Sequence, residues 1–592
     1  MLRTIVSSFF KLRGWGVYKK AITTIGCILA ILVFCRHGYA ADTSLGDEAQ
    51  KQLASQGDTF ERERRRLSLK EEKKPEIVVE EQKKPPPKKG AGPPFLLKKI
   101  IIEDNALCSQ KELDPILAPY ENIQSSFESL QAAAQVVSNY LRAKGFLTSR
   151  AYLAPQKIEN GTVILKILEG KIGKIKAENN RYFKKSLYTD SIHLKKDRLF
   201  DYSDLENSMY FLNRKPDRTA KAYLIAGEEP DTSDLVLKAD ETYPVHAHYD
   251  FNNHGTKFTH LGRNAVGVDH NNLTGNGDTF SGSVMMAEQK AFDGGFIAYD
   301  LPLESTGTTI HLNTSYVKTL LVGDLKPFEI KGSSFNFTPG VTQTFYKKAT
   351  ALLEGYFRFE IKDSKTTISD TKINFDRARA AVFGPRFTFQ DAGGRTIFSS
   401  DLHWGIPNFL GSADETDLNA SRVNSGGDFL YYTGSIARVQ RIPPESVLIL
   451  RAGGQWTRDT LTSLEQVRGG GSYSVRGYPE SDSSGDYGYN WSMEVDVPLT
   501  FLSKRWKIPY NNRYNWRDSV RLVGFLEGAN TYLRERQQET DIKDRFLLGT
   551  GFGLRFNIGE TLSLQVDLGY PIGDRSNDKN RKQFHISLQS GF

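Results

Sequence analysis

Val475-Arg476-Gly477-Tyr478 is the part of this 592-residue chain where residue type and spacing are most closely specified. Before it come Gln455-Trp456-Thr457-Arg458-Asp459, Ser463-Leu464-Glu465-Gln466 and Gly469-Gly470-Gly471; after it come Gly485-Asp486 and the strand-like Glu494-Val495-Asp496-Val497-Pro498-Leu499. The three glycines give a loop backbone angles that other residues resist and let it pass close to a neighbouring surface. One guanidinium near one aromatic ring supplies a planar cation and a flat face, both of which packing can fix. The chemistry this stretch offers is ion pairing and positioning. Bond-making motifs are missing: the chain has no phosphate-binding Gly-Lys loop, no His-Glu-x-x-His and no paired Cys-x-x-Cys, and its ten histidines are scattered. Gly549-Thr550-Gly551-Phe552-Gly553 lies among alternating strands rather than before a helix, so it reads as small inward residues and not as a dinucleotide loop. Neither an enzyme, a metal nor a cofactor is expected.

The elements that must position these residues are strands. From 243 to 592 the sequence runs in short alternating segments separated by Gly, Asn, Asp and Ser clusters. Ile310, Leu312, Thr314 and Tyr316 share one face of one segment; Leu562, Leu564, Val566, Leu568 and Tyr570 share one face of another. The last segment sets Phe584, Ile586, Leu588, Ser590 and Phe592 opposite His585, Ser587, Gln589 and Gly591. Apolar on one face and small or polar on the other is what lipid outside and water inside demand. The same alternation puts Arg521, Val523, Phe525 and Glu527 opposite Val520, Leu522, Gly524 and Leu526. The second set suits lipid, so Glu527 points inward.

The formal charge of +8 is a targeting feature rather than a nucleic-acid signal, because residues 1–40 hold six Lys/Arg and no acid. A basic segment ending at Lys19-Lys20, an apolar run from Ala21 to Cys35 and small residues at Gly38-Tyr39-Ala40 read as a signal peptide cleaved between Ala40 and Ala41. Cys27 and Cys35 leave with it, and Cys108 is then a small hydrophobe without a disulfide partner. No later segment approaches 18 apolar residues, so a membrane-spanning form must be a closed barrel.

Residues 41–72 are charged, with Glu/Arg neighbours at helical spacing, and read as a solvated helix or a disordered tail. Residues 73–94, with Lys83-Lys84-Pro85-Pro86-Pro87-Lys88-Lys89, read as a stiff, extended linker. From 95 to 170 a strand pattern (Leu96–Ile102), a helix (Ser125–Ala143, capped by Ser125 with Glu128) and two strands around Asn160-Gly161 make a small α+β unit. A second unit spans 171–242, with a helix from Ser203 that turns Leu205, Met209 and Leu212 inward.

These motifs together resemble the outer-membrane transporters of bacterial two-partner secretion, the hemolysin secretion/activation (TpsB-type ShlB/FhaC/HecB) family within the assembly-factor superfamily of periplasmic-domain-plus-barrel proteins. Val475-Arg476-Gly477-Tyr478, flanked by Glu465-Gln466 and Gly485-Asp486, carries the match; Phe251-Asn252-Asn253-His254-Gly255 and Asn272–Asp278 match the family's first barrel hairpin. The resemblance implies an all-β barrel of 16 antiparallel strands (243–592), two polypeptide-transport-associated (POTRA) domains (95–170 and 171–242) and an N-terminal plug helix (41–72). It implies that the loop folds into the lumen and that Arg476 meets an acid within a Phe-x-Asp-x-Gly motif, here Phe525-Leu526-Glu527-Gly528-Ala529, with Glu for Asp. It implies as partners an exoprotein client with an N-terminal secretion domain, outer-membrane lipid and the barrel assembly machinery that inserts the chain itself, recognised through a C-terminal signal of Phe584, Ile586, Leu588 and Phe592. A barrel-assembly insertase shares the loop but usually carries three or more periplasmic units; a passive porin has no use for them.

Overall fold

The computed structural model describes residues 75–79 and 95–591, apart from 104–106, 147, 155, 159, 169, 195–199, 201, 229–231, 510, 538–540, 560 and 575–581. The expected signal peptide with Ala40 and Ala41, the helix at 41–72, most of the linker and Phe592 lie outside the described residues.

Period-two alternation closes into a barrel of sixteen antiparallel strands, from Val245–Asn252 to Gln583–Gly591, each paired with its neighbour in sequence and the last with the first. The closing seam runs from His248 opposite Gly591 to Asn252 opposite Ser587. Outward positions carry exposed apolar side chains such as Ile310, Leu312, Phe383, Leu522, Leu526 and Phe552. Inward positions bury Arg379, Arg395, Arg521, Arg555, Asp567 and His585. The two faces differ because bilayer hydrocarbon accepts no unpaired charge, whereas the lumen supplies partners.

The first α+β unit packs the helix Phe127–Ala143 over strands Lys99–Ile102, Thr162–Leu168 and Arg150–Leu153. Leu130, Ala134, Val137 and Leu141 fill its core together with Leu97, Ile100 and Val163, while Phe127 faces solvent. The helix is capped by Ser126, whose hydroxyl accepts from the Ser129 amide, and not by Ser125. The reciprocal Ser/Glu capping occurs instead on a helix absent from the sequence reading, Gln110–Leu117, where the Ser109 amide donates to Glu112 at 3.0 Å. Gly145, with φ +97°, ends the longer helix in the left-handed conformation. The expected Leu96–Ile102 strand is split into Phe95–Leu97 and Lys99–Ile102.

In the second unit the helix Tyr202–Leu212 buries Leu205, Met209 and Leu212, and Ser203 sits inside its first turn rather than at its cap. This unit docks on one end of the barrel. Asp217 accepts from Asn271 at 2.7 Å and meets His246 at 2.8 Å; the Asn272 side chain donates to the Tyr182 carbonyl, and Asn207 accepts from the Ala349 amide. The 271–278 turn is therefore a bracket between barrel and domain.

One stretch of the expected linker is not a free spacer. Ile77–Val79 pairs in parallel with Ala222–Leu224, adding a strand to the sheet of the second unit, and the Ala222 amide donates to the Glu76 carbonyl at 3.1 Å. The β-branched Ile-Val-Val triplet suits an open sheet edge, and that local signal outweighs the Pro/Lys composition around it. Replacing Ile77–Val79 with Gly-Ser-Gly is expected to speed hydrogen exchange at the Ala222 amide about tenfold or more. The Tyr223 amide, on the side paired with Val236, keeps its rate. Unchanged exchange at Ala222 would show that the edge does not depend on this strand.

Candidate functional site: a loop clasped inside the barrel

The connection from Thr457 to Tyr487 enters the lumen instead of standing above it. Its two arms pair at Val467–Gly469 and Ser483–Gly485. Gly470 (φ +101°) and Gly471 (φ +89°) then turn the backbone through the left-handed region, which side chains resist. The turn carries Val475 and Tyr478, both fully buried, onto Ala529 and Leu547 of the thirteenth and fourteenth strands (Val520–Tyr532 and Asp544–Ile558). The Tyr478 hydroxyl donates to the Asp574 carbonyl at 2.9 Å.

Arg476 is 6 % exposed and meets three carboxylates on the barrel wall. Nη2 and Nε donate to Glu527 Oε1 at 2.7 and 3.0 Å, Nη2 also donates to Glu494 Oε2 at 2.7 Å, and Nη1 donates to Asp567 Oδ2 at 3.1 Å. The Arg476 backbone amide donates to Glu527 Oε2 at 2.7 Å, so one carboxylate fixes both the side chain and the main chain. The guanidinium lies over the Phe525 ring at 3.6 Å from the centroid. A weakly hydrated planar cation suits such an aromatic platform. Arg555 joins the cluster, donating to Asp567 Oδ2 at 3.1 Å and approaching Glu494 at 3.6 Å. A cation this deep is stable only with its partners in place.

The wall is cut back where the loop seats. A Cβ at Gly569 would come within 1.8 Å of the Arg476 carbonyl oxygen, and one at Gly549 within 2.9 Å of Val475 Cγ1. Gly549, the first glycine of the 549–553 run, thus makes room for the loop.

Two further carboxylates hold the loop's base. The Asp486 side chain accepts from the Arg422 guanidinium, the Leu461 amide at 3.0 Å, Gln466 Nε2 at 3.3 Å and the Arg534 amide at 2.8 Å. Arg422 and Arg534 belong to two other connections at that end, 406–429 and 533–543, so one buried carboxylate gathers three loops. Glu465 accepts from Lys362 Nζ at 3.1 Å and from the Tyr431 hydroxyl at 2.7 Å. These partners sit on the seventh and tenth strands (Ala351–Ile368 and Leu430–Ile442), so the loop's base is tied to a different stretch of wall from the Arg476 cluster.

The structure brings together Val475, Arg476, Gly477, Tyr478, Phe525 and Glu527. Gly469, Gly470 and Gly471 form the bend above them. Phe584 faces outward, 52 % exposed, on the last strand, far in sequence from the loop, while Ile586 and Leu588 share its row. Asp567, Arg555 and Arg422 are not expected from the sequence, and neither is the part that Glu494 takes in holding Arg476. Glu494-Val495-Asp496-Val497 holds a signal for the latter, since two acids at alternate positions of a lipid-embedded strand both face the lumen and both need cations.

Comparison with known proteins agrees with this architecture. Residues 231–511 match the family model described as haemolysin secretion/activation protein ShlB/FhaC/HecB, residues 95–170 match the ShlB-type POTRA domain, and residues 444–592 match the Omp85 superfamily domain. The heme/hemopexin transporter protein HuxB of Haemophilus influenzae is 23% identical over 505 residues, covering 83% of this chain and 86% of HuxB. The outer membrane transporter CdiB of Dickeya dadantii is 22% identical over 477 residues, covering 79% of this chain and 81% of that protein. The solved structure of CdiB from Escherichia coli superposes with a TM-score of 0.66 at 19% identity, over 94% of this chain and all of that one.

Arg476→Ala or Glu527→Ala alone is expected to unseat the loop at a cost of about 3–5 kcal/mol, because each leaves buried charge unpaired. The double change is expected to cost less than the sum. The readout is maleimide labelling of Ser474→Cys, whose native hydroxyl is buried, on a Cys108→Ser background. Effects that simply add would show that the two residues act independently.

Proposed function

This chain belongs to the haemolysin secretion/activation ShlB/FhaC/HecB family of outer-membrane two-partner secretion transporters, and on that premise we propose how it handles its exoprotein. The observation that carries the reading is the lumen itself. The lumen of a sixteen-stranded barrel holds a loop that is ion-paired to both the seventh and the thirteenth strands. Such a seat is released by exchanging charge partners and needs no unfolding of the wall.

The client arrives unfolded from the periplasm, and its N-terminal secretion domain adds as a strand to a POTRA sheet. The second unit is suited to this, because its Arg218–Ala226 edge already accepts a strand from the chain's own residues 77–79. A client strand that displaces Ile77–Val79 releases the segment leading back to residues 41–72, the proposed plug, and so couples capture to clearing the pore. The Arg476 loop then shifts within the lumen to admit the extended client. Transport needs no nucleotide, metal or bond-making step; folding of the client outside supplies direction. The chain's own insertion relies on the barrel assembly machinery reading the last strand.

The test separates transport from insertion. Deleting the gene is expected to remove one surface or released exoprotein and leave the other outer-membrane proteins at normal abundance. Arg476→Ala is expected to lower export of that exoprotein about tenfold or more from a normally heat-modifiable barrel. Broad loss of outer-membrane proteins would instead assign insertase activity, and undiminished export from the Arg476→Ala barrel would remove the loop from the mechanism.

A further inference from the structure

The connections at the domain-bearing end of the barrel are short, from 349–350 to 271–278, with one exception, residues 499–519 between the twelfth and thirteenth strands. This excursion is folded. Lys507–Ile508 pairs with Asn511–Asn515, Ile508 is buried, the Trp516 amide donates to the Trp506 carbonyl at 3.0 Å, and the Asn515 side chain caps a single turn by accepting from the Asp518 amide. Arg517 pins it to the neighbouring turn through Glu445 at 3.0 Å. Neither the lock nor the docking of the POTRA unit uses it.

Its surface has a specific composition. Lys504, Arg505, Lys507, Arg513 and Arg517 face one acid, Asp518. With Arg517 engaged by Glu445, the other four are exposed, and among the described residues none pairs with a carboxylate. Phe501 is 79 % and Trp506 61 % exposed, an unusual exposure for large aromatic side chains in water.

The direction in which the excursion leans identifies what covers these groups. Trp516 stacks on Phe556 with ring centroids 5.6 Å apart and planes at 26°. Phe556 continues the outward, lipid-facing row of Phe552 and Leu554 at the end of its strand. The foot thus rests against the outside of the barrel where hydrocarbon gives way to headgroups. Aromatic rings prefer that depth, and Lys and Arg stems reach from it to phosphate.

We propose that residues 499–509 and 511–519 form an interfacial foot that binds anionic glycerophospholipid headgroups of the periplasmic leaflet, with Phe501 and Trp506 inserted beside the barrel wall and Lys504, Arg505, Lys507 and Arg513 on the phosphates. The occupant is a lipid surface rather than an acidic polypeptide, because the cations share a segment with the exposed rings of Phe501 and Trp506 and with Trp516, which lies against the lipid-facing Phe556. Clustered basic residues near a membrane favour anionic lipid additively.

The test uses the full-length protein in nanodiscs of phosphatidylcholine containing phosphatidylglycerol, with the retained lipids counted by native mass spectrometry. Wild type is expected to enrich phosphatidylglycerol about tenfold over its bulk fraction and to lose most of that enrichment in 0.5 M salt. The variant K504Q/R505Q/K507Q/R513Q is expected to bring enrichment to the bulk fraction while the barrel stays heat-modifiable. A second measurement needs no charge variant: brominated phosphatidylglycerol should quench Trp506 fluorescence, assigned by difference against Trp506→Phe, more strongly than brominated phosphatidylcholine. Equal quenching by the two lipids, or undiminished enrichment in the fourfold variant, overturns the proposal. So does a variant that keeps its lipid but loses cross-linking to the exoprotein, which would make the foot a client surface.

Discussion

A guanidinium inside a barrel wall has to be neutralised from the wall itself. That requirement organises the distal half of this protein. Arg476 reaches carboxylates on three strands and an aromatic face on one of them. The loop carrying it must therefore descend a fixed distance and present one face. Gly470 and Gly471 make the descent possible, and Gly569 leaves the wall thin enough to receive it. Burial of Val475 and Tyr478 adds apolar contact, but apolar contact alone does not select one register. Directional hydrogen bonds to a planar cation do.

The loop's base belongs to a different arrangement. Asp486 collects donors from three connections, whereas Glu465 anchors the loop to the seventh and tenth strands. Because Asp486 and Arg476 lie on the same loop, the seat in the lumen and the packing of the outer connections share a backbone. Any displacement of one is felt by the other through the pair Val467–Gly469 and Ser483–Gly485.

Much of this was legible in the sequence where one local rule dominates. Period-two alternation assigned Glu527 inward and Leu522 and Leu526 outward, because lipid and water impose opposite demands on adjacent residues. The burial of Leu205, Met209 and Leu212 followed from helical spacing in the same way. Pairing across the barrel was harder to read. Nothing near Arg476 in the chain points to Asp567, 91 positions away, since closure of the sheet alone brings them together. Short signals inside a misleading composition were missed as well: Ile77–Val79 sits in a Pro/Lys-rich stretch, and its strand character appears only against the edge it joins. Choosing between adjacent serines as a helix cap depended on one residue of phase, which apolar spacing does not fix.

Arg476 supplies the wall's carboxylates with a charge that the loop can take away. Glu494, Glu527 and Asp567 all meet its guanidinium, and Glu494 and Asp567 also meet that of Arg555, which belongs to the wall. When the loop withdraws, the three carboxylates lose one positive charge, and Glu527 loses both the guanidinium on its Oε1 and the backbone amide on its Oε2. An emptied seat is thus an electronegative socket that must draw in protons, small counter-ions or the basic side chains of whatever polypeptide then occupies the passage.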